Sequence, residues 1–90
     1  MSSGTTSGRV TVSVRLFAAY AELTGRTEAE LSLAPESTVQ DLLEEFRRQV
    51  PAAAGLPARL LCAVNLAHVL PSHVLRDGDE VAILPPMAGG

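Results

Sequence analysis

One long stretch of helical periodicity, set between segments that alternate apolar and polar residues, most constrains the fold of this chain. Residues 39–50 carry apolar side chains at helical spacing, and Pro51 ends the pattern. On both sides of it, short segments repeat with the period of two that is typical of strands with one buried face. The sequence therefore predicts an α+β fold in which one main helix packs across a sheet.

The order of the segments narrows this prediction to one topology. Strands are predicted at residues 10–16, 28–33, 60–65, about 66–69 and 80–84, with a short helix over residues 17–23 that Gly25 ends. Two strands, the main helix and three further strands are the order of a β-grasp, a mixed sheet with one helix packed across it. In that topology the first and last strands lie together at the centre.

Length and charge limit what such a domain can do. Ninety residues allow one core, and a net charge of −3 argues against a nucleic acid partner. All seven basic residues are arginine, so no side chain can accept an isopeptide bond. Cys62 is the single cysteine, which excludes an internal disulfide, and its strand position indicates core packing. No long apolar run indicates a signal or a membrane span, so we expect a cytoplasmic protein.

The end of the sequence carries the clearest chemical signal. We expect residues 1–8 to be a disordered leader, residues 9–85 the β-grasp domain and residues 86–90 an extended tail. Pro85 and Pro86 fix an extended backbone that cannot join a sheet. Gly89 and Gly90 lack a Cβ and so can enter a narrow channel. A free carboxylate is inert, so an ATP-using enzyme would first have to adenylate Gly90 before sulfur could displace the nucleotide.

Several segments, in this order, resemble the small subunit of molybdopterin synthase, a ubiquitin-like sulfur carrier. They are Leu16-Phe17-Ala18, Glu22-Leu23-Thr24-Gly25, Arg59-Leu60-Leu61-Cys62-Ala63-Val64-Asn65, Asp77-Gly78-Asp79-Glu80-Val81 and Pro85-Pro86-Met87-Ala88-Gly89-Gly90. The resemblance implies a β-grasp fold and a thiocarboxylate at Gly90 that donates sulfur to the pterin precursor of the molybdenum cofactor. It also implies that an apolar sheet face contacts the large subunit.

The same resemblance implies partners and contact residues. The expected partners are the large subunit of the synthase, an adenylyltransferase that resembles ubiquitin-activating enzymes, and a sulfurtransferase. We expect no activity of the chain alone, no bound cofactor and no metal, with ATP used by the activating enzyme. The contact residues implied by position are Phe17, Arg59, Pro86, Met87, Ala88 and Gly89.

The sequence leaves other functions open. A thiocarboxylate donor for thiamin, cysteine or natural-product biosynthesis would share the fold and the Gly-Gly end. A protein modifier that conjugates to lysines on other proteins is another possibility, and a plain interaction domain with an idle tail is a third. Pro85-Pro86 favours the synthase subunit.

Overall fold

The computed structural model describes residues 9–57 and 60–84. The predicted leader, residues 1–8, and the predicted tail, residues 86–90, lie outside the described residues. The described part forms strands β1 (Val10–Leu16), β2 (Glu28–Leu33), β3 (Leu61–Val64), β4 (Ala67–Val69) and β5 (Glu80–Leu84), and helices α1 (Ala18–Thr24) and α2 (Val39–Gln49). These elements lie within one or two residues of their predicted positions.

The five strands form one mixed sheet in the order β2-β1-β5-β3-β4. β1 and β5 are parallel neighbours at the centre, while β1 pairs with β2, and β3 with both β4 and β5, in antiparallel fashion. This is the predicted β-grasp topology. Because β1 and β5 are parallel, their C-terminal ends lie at the same edge of the sheet.

The core lies between one face of the sheet and α2. Val12 and Val14 of β1, and Val81 of β5, are completely buried on this face. They pack in one cluster with Leu42 and Phe46 of α2. The alternate residues of the same strands point to the other face of the sheet, because successive strand residues face opposite sides. No helix of residues 9–57 and 60–84 covers that face. We call this second surface the open face.

α2 begins and ends as its sequence predicts. The side chain of Thr38 accepts a hydrogen bond from the backbone N–H of Asp41 at 3.2 Å, and the Asp41 carboxylate accepts one from the backbone N–H of Thr38 at 2.9 Å. This reciprocal capping box satisfies two N–H groups that the helix itself leaves unpaired. Arg47 and Arg48 in the last turn complement the negative end of the helix dipole.

Two prolines and a glycine in residues 51–58 predict an irregular connector after α2. In the structure this connector is more ordered, because Pro51–Gly55 forms a 3₁₀ helix. The guanidinium of Arg47 donates hydrogen bonds to the backbone carbonyls of Leu56, at 3.1 Å, and Pro57, at 2.6 Å. Because these donors lie on α2, a tertiary contact holds the connector in place, and local sequence rules do not detect it.

The turn between β3 and β4 contains backbone strain that a substitution should relieve. Asn65 and Leu66 both have positive φ, 50° and 76°, as in a two-residue hairpin that favours Asn-Gly. Leu66 is 91% exposed and its Cβ makes this conformation costly. We expect Leu66→Gly to raise the free energy of unfolding by about 0.5–1 kcal/mol, measured by urea denaturation. Leu66→Ala keeps the Cβ, so an equal gain there would contradict the explanation.

Candidate docking face at the root of the tail

The C-terminal tail is attached to the most central strand of the sheet. β5 lies between β1 and β3, and Leu84 is its last residue. Val81 and Ile83 are completely buried on the core face. Any segment that follows Leu84 is therefore attached to a strand that is paired on both sides, and its point of departure is fixed by the core.

Hydrogen bonds with two other segments also hold the start of β5. The backbone N–H of Gly78 donates to the carbonyl of Thr11 at 2.8 Å. The Asn65 amide donates to Asp79 Oδ1 at 2.9 Å, and its oxygen accepts from the backbone N–H of Glu80 at 3.0 Å. The strand that carries the tail is thus tied to β1 and to the β3–β4 turn, which favours a fixed position for its far end.

Exposed apolar side chains lie on the open face beside the end of β5. Leu61 is paired with Leu84 across β3 and β5, and it is 45% exposed. The pairing of β3 with β4 places Cys62 opposite Val69, and continued by one residue it places Leu70 opposite Leu61. Leu70 is 73% exposed. On the other side, Phe17 follows β1 in extended conformation (φ −129°, ψ 156°) and comes beside Leu84, with 41% of its surface exposed. We call Phe17, Leu84, Leu61 and Leu70 the tail-side apolar row.

Charged groups border this row on the open face. Arg15 lies opposite Ala82 of β5, and its Nη1 is 3.3 Å from a carboxylate oxygen of Glu80 and 3.9 Å from one of Glu28. All three side chains are substantially exposed, so each ion pair adds little to stability. The arrangement of an apolar centre with a charged border is common in protein–protein interfaces.

Only one of the predicted contact residues lies in the described part of the chain. Phe17 belongs to the tail-side apolar row, where its exposure suits a docking contact. The other predicted site residues lie outside the described residues; they are Arg59, Pro86, Met87, Ala88, Gly89 and Gly90. The sequence analysis did not identify Leu61, Leu70 or Leu84. Leu60 and Leu61 are both apolar, so the pattern alone did not tell which of them faces the core.

The thiol of Cys62 and possible metal ligands are the other candidate groups of the described part. Cys62 is 4% exposed, and burial raises the pKa of its thiol to about 11, so the unreactive thiol dominates at neutral pH. The predicted core position of Cys62 is confirmed. Within residues 9–57 and 60–84, no three His, Cys, Asp or Glu side chains come together as metal ligands. None of the helices in this same part is long and apolar enough to cross a membrane.

Comparison with known proteins agrees with this geometry. The sequence profile of the ThiS family matches residues 14–90. The molybdopterin synthase sulfur carrier subunit of Escherichia coli (strain K12) is 40% identical over 81 residues, which cover 88% of this chain and 99% of that protein.

Two solved structures share the fold at comparable length. A protein described as putative molybdopterin converting factor, subunit 1, from Pyrococcus furiosus has a TM-score of 0.78 and 31% identity, covering 87% of this chain and 99% of that one. The small archaeal modifier protein 1 from Methanosarcina acetivorans has a TM-score of 0.72 and 28% identity, covering 93% and 100%. The chain belongs to the ThiS family of β-grasp sulfur carriers, together with the sulfur carrier subunits of molybdopterin synthase.

Proposed function

We propose that this chain is the sulfur-carrying small subunit of a molybdopterin synthase. Its C-terminal Gly90 is adenylated by an activating enzyme at the expense of ATP, converted to a thiocarboxylate with sulfur from a sulfurtransferase, and used to donate sulfur to the pterin precursor. The observation that carries the proposal is the position of Leu84, at the end of the central strand and beside an exposed apolar row. Relatives named as carrier subunits support it.

In this proposal the reacting group is the backbone carboxyl group of Gly90, and the partner proteins supply the active sites. A carboxylate resists attack, because its negative charge repels nucleophiles. In adenylation, one carboxylate oxygen attacks the α-phosphate of ATP and pyrophosphate leaves, so that this oxygen becomes part of a good leaving group. A sulfur nucleophile then displaces AMP at the acyl carbon. The protein itself must only present this carboxyl group in an extended tail that fits the two active sites in turn. Glycine at both final positions keeps the tail narrow enough for this.

Docking through the tail-side apolar row would fix where the tail enters the large subunit. Leu61 and Leu84 of the row are paired in the sheet, so a partner that covers the row also determines the position of Leu84. Six residues follow Leu84, and they can span at most about 20 Å. In the complex, Gly90 can therefore reach only a limited range of positions within the large subunit. Holding the reacting group in place in this way favours the reaction.

A substitution at the centre of the row should weaken this complex. We expect Leu61→Asn to raise the dissociation constant for the large subunit at least about tenfold, because it removes an apolar contact and buries an amide instead. The measurement is isothermal titration calorimetry with the purified large subunit. Leu23→Asn on α1 is the matched control, since Leu23 is also 45% exposed but does not belong to the row. Equal losses for both variants would contradict the assignment of the docking face.

The direct test of function is the intact mass of the protein after activation. The chain is incubated with ATP, an adenylyltransferase of this class and a sulfur source, and a variant lacking Gly90 is treated in parallel. We expect a mass increase equal to the exchange of one oxygen for one sulfur in the full chain alone. No change, with an enzyme proven active on its own carrier, would contradict the proposal. Transfer to a pterin precursor in the presence of the large subunit then distinguishes this pathway from thiamin, cysteine or natural-product biosynthesis.

A role as protein modifier is the second candidate function. The similarity to small archaeal modifier protein 1 favours it, because that protein shares the fold over nearly its entire length. Covalent adducts of higher mass that depend on Gly90, isolated from cells that express the chain, would support this function. If the thiocarboxylate forms and no such adducts appear, the carrier function alone is supported.

A further inference from the structure

We infer that the chain forms a weak dimer in which β4, the outermost strand on one side of the sheet, pairs with β4 of a second copy. The inference goes beyond the proposed function and does not involve the tail. Among the described residues, β4 (Ala67–Val69) pairs with β3 on one side and has no strand on the other. Unpaired backbone groups along such an edge can bind a further strand.

The backbone groups of His68 point to the free side of β4. At the end of β3, Asn65 donates its N–H to the carbonyl of Glu80 in β5 at 2.8 Å. Because hydrogen bonds alternate between the two sides of a strand, the preceding residue, Val64, bonds to its partner Ala67 in β4. His68 follows Ala67, so its N–H and C=O point away from β3. The described loops offer no backbone partner for these two groups.

Charge distinguishes this edge from the opposite edge of the sheet. Residues 66–75 contain no aspartate, glutamate, lysine or arginine, so β4 and the residues that flank it are uncharged. At the opposite edge, β2 carries Glu28 and Glu30, and pairing of two copies there would bring their glutamates together. Each copy has a net charge of −3. β4 is therefore the edge at which two copies can meet without like charges facing each other.

A two-fold axis beside His68 makes this edge complementary to itself. The N–H of His68 in each copy then donates to the carbonyl of His68 in the other, as in a hydrogen-bonded pair of an antiparallel sheet. The same register brings Leu66 of each copy opposite Leu70 of the other. These leucines are the two most exposed large apolar side chains among the described residues. The pairing covers both of them, and a dimer with two-fold symmetry requires such a self-complementary surface.

Space for the second copy is present on the helix side of β4. An open groove of about 530 Å³ lies there, lined at its apolar end by Ala67, Val69 and Val74. In the two-fold register, Ala67 of one copy lies opposite Val69 of the other, so these side chains extend the apolar lining across the contact. A strand of three residues buries little surface, below the roughly 1,200 Å² of stable specific complexes. We therefore expect association at millimolar but not at low micromolar concentration.

The first test is the mass of the wild-type chain in solution, measured by sedimentation equilibrium at low micromolar and at millimolar concentration. We expect one chain at the low concentration and an average mass that approaches two chains at the high one. Amide hydrogen exchange locates the contact, because pairing gives the N–H of His68 a hydrogen bond. Its exchange should slow at least about twofold once half of the molecules are paired. A chain that stays monomeric, or a dimer with unchanged exchange at His68, would overturn the inference.

His68→Pro removes the outward N–H in both copies. Proline is tolerated in an edge strand where the N–H faces solvent, so the pairing of β3 with β4 should remain. Two hydrogen bonds are lost per dimer, and we expect self-association to weaken at least about tenfold. Thermal melting at low micromolar concentration checks that the variant is folded. Undiminished association of a folded His68→Pro would contradict pairing through this edge.

Charged variants at the exposed leucines test the register without changing the core. Leu66→Lys with Leu70→Lys, and Leu66→Glu with Leu70→Glu, each place like charges opposite each other, so each protein alone should stay monomeric. An equimolar mixture of the two pairs lysine with glutamate and should recover association. Leu23→Lys on α1 is the matched control and should associate like wild type, since Leu23 is exposed but distant in the fold from β4. A mixture that stays monomeric, or a control that loses association, would contradict the register.

A strand of another protein is the alternative occupant of this edge. If wild type stays monomeric and His68→Pro weakens binding of the large subunit at least about tenfold, the edge binds a strand of that partner and the pairing of two copies is excluded. None of the dimer measurements uses ATP or an activating enzyme. Failure of the dimer therefore leaves the proposed activation of Gly90 untouched, and failure of activation leaves the dimer untouched.

Discussion

Appending one alanine after Gly90 is expected to abolish sulfur loading completely. The added residue turns the carboxylate of Gly90 into a peptide amide, which cannot be adenylated. It also moves the new terminal carboxylate by about 3.5 Å, and misplacement by 1 Å can already cost about a hundredfold in rate. Gly89→Val should cause a similar loss, because the branched side chain widens the tail where the proposal requires a narrow one. The measurement is the thiocarboxylate mass increase after incubation with ATP, activating enzyme and sulfur source.

The fold should be unaffected by these changes. Both positions follow β5, whose last described residue is Leu84, and every residue of the buried core cluster lies between positions 12 and 83. Equal thermal melting of variant and wild type would therefore accompany the loss of loading. Gly4→Val, a similar substitution near the other end of the chain, is the control and should load normally. Normal loading of the extended variant would exclude Gly90 as the reacting residue.

The fold could be predicted because its local signals agree with each other. The alternation in β1 is uninterrupted from Val10 to Leu16, and the structure buries Val12, Val14 and Leu16 on one face. For α2, the capping box at Thr38 and Asp41 is visible in the sequence and present in the structure. Where propensity, patterning and capping agree, few alternative folds remain.

The details that sequence analysis missed depend on tertiary contacts. The 3₁₀ helix at Pro51–Gly55 is followed by two carbonyls bound to Arg47, a residue about ten positions earlier in the chain. Likewise, whether Leu61 faces the core or the open face depends on its pairing with Leu84, and a run of apolar residues does not specify that pairing.

The candidate site could be predicted only in part, for a related reason. Its reacting residue, Gly90, is predicted from the tail sequence and from the family. By contrast, Phe17 and Leu70 are 53 positions apart in the sequence, and the sheet order brings them into one row. A docking surface of this kind becomes visible when strand register is known, because it consists of residues that share a face across several strands.

Replacing Phe46 by alanine is expected to have the largest effect on stability. Phe46 lies on α2, is completely buried, and is the largest of the fully buried side chains among the described residues. Truncating a buried phenylalanine to alanine typically costs about 3–5 kcal/mol, because apolar contacts are lost and a cavity remains. A small domain has only about 5–15 kcal/mol of stability in total. We expect Phe46→Ala to lower the urea midpoint strongly and to leave a substantial unfolded fraction at 37 °C.

The comparison with Phe46→Leu identifies the cause of that loss. Leucine keeps most of the buried volume and remains apolar, so we expect it to cost clearly less than alanine at the same position. A fold of this size needs one well-filled core to hold β5 at the centre of the sheet, and thereby to hold the root of the tail beside the apolar row. Loading of Gly90 should consequently follow the folded fraction in both variants. If Phe46→Ala were as stable as wild type, the interior around α2 would not be the core that fixes β5.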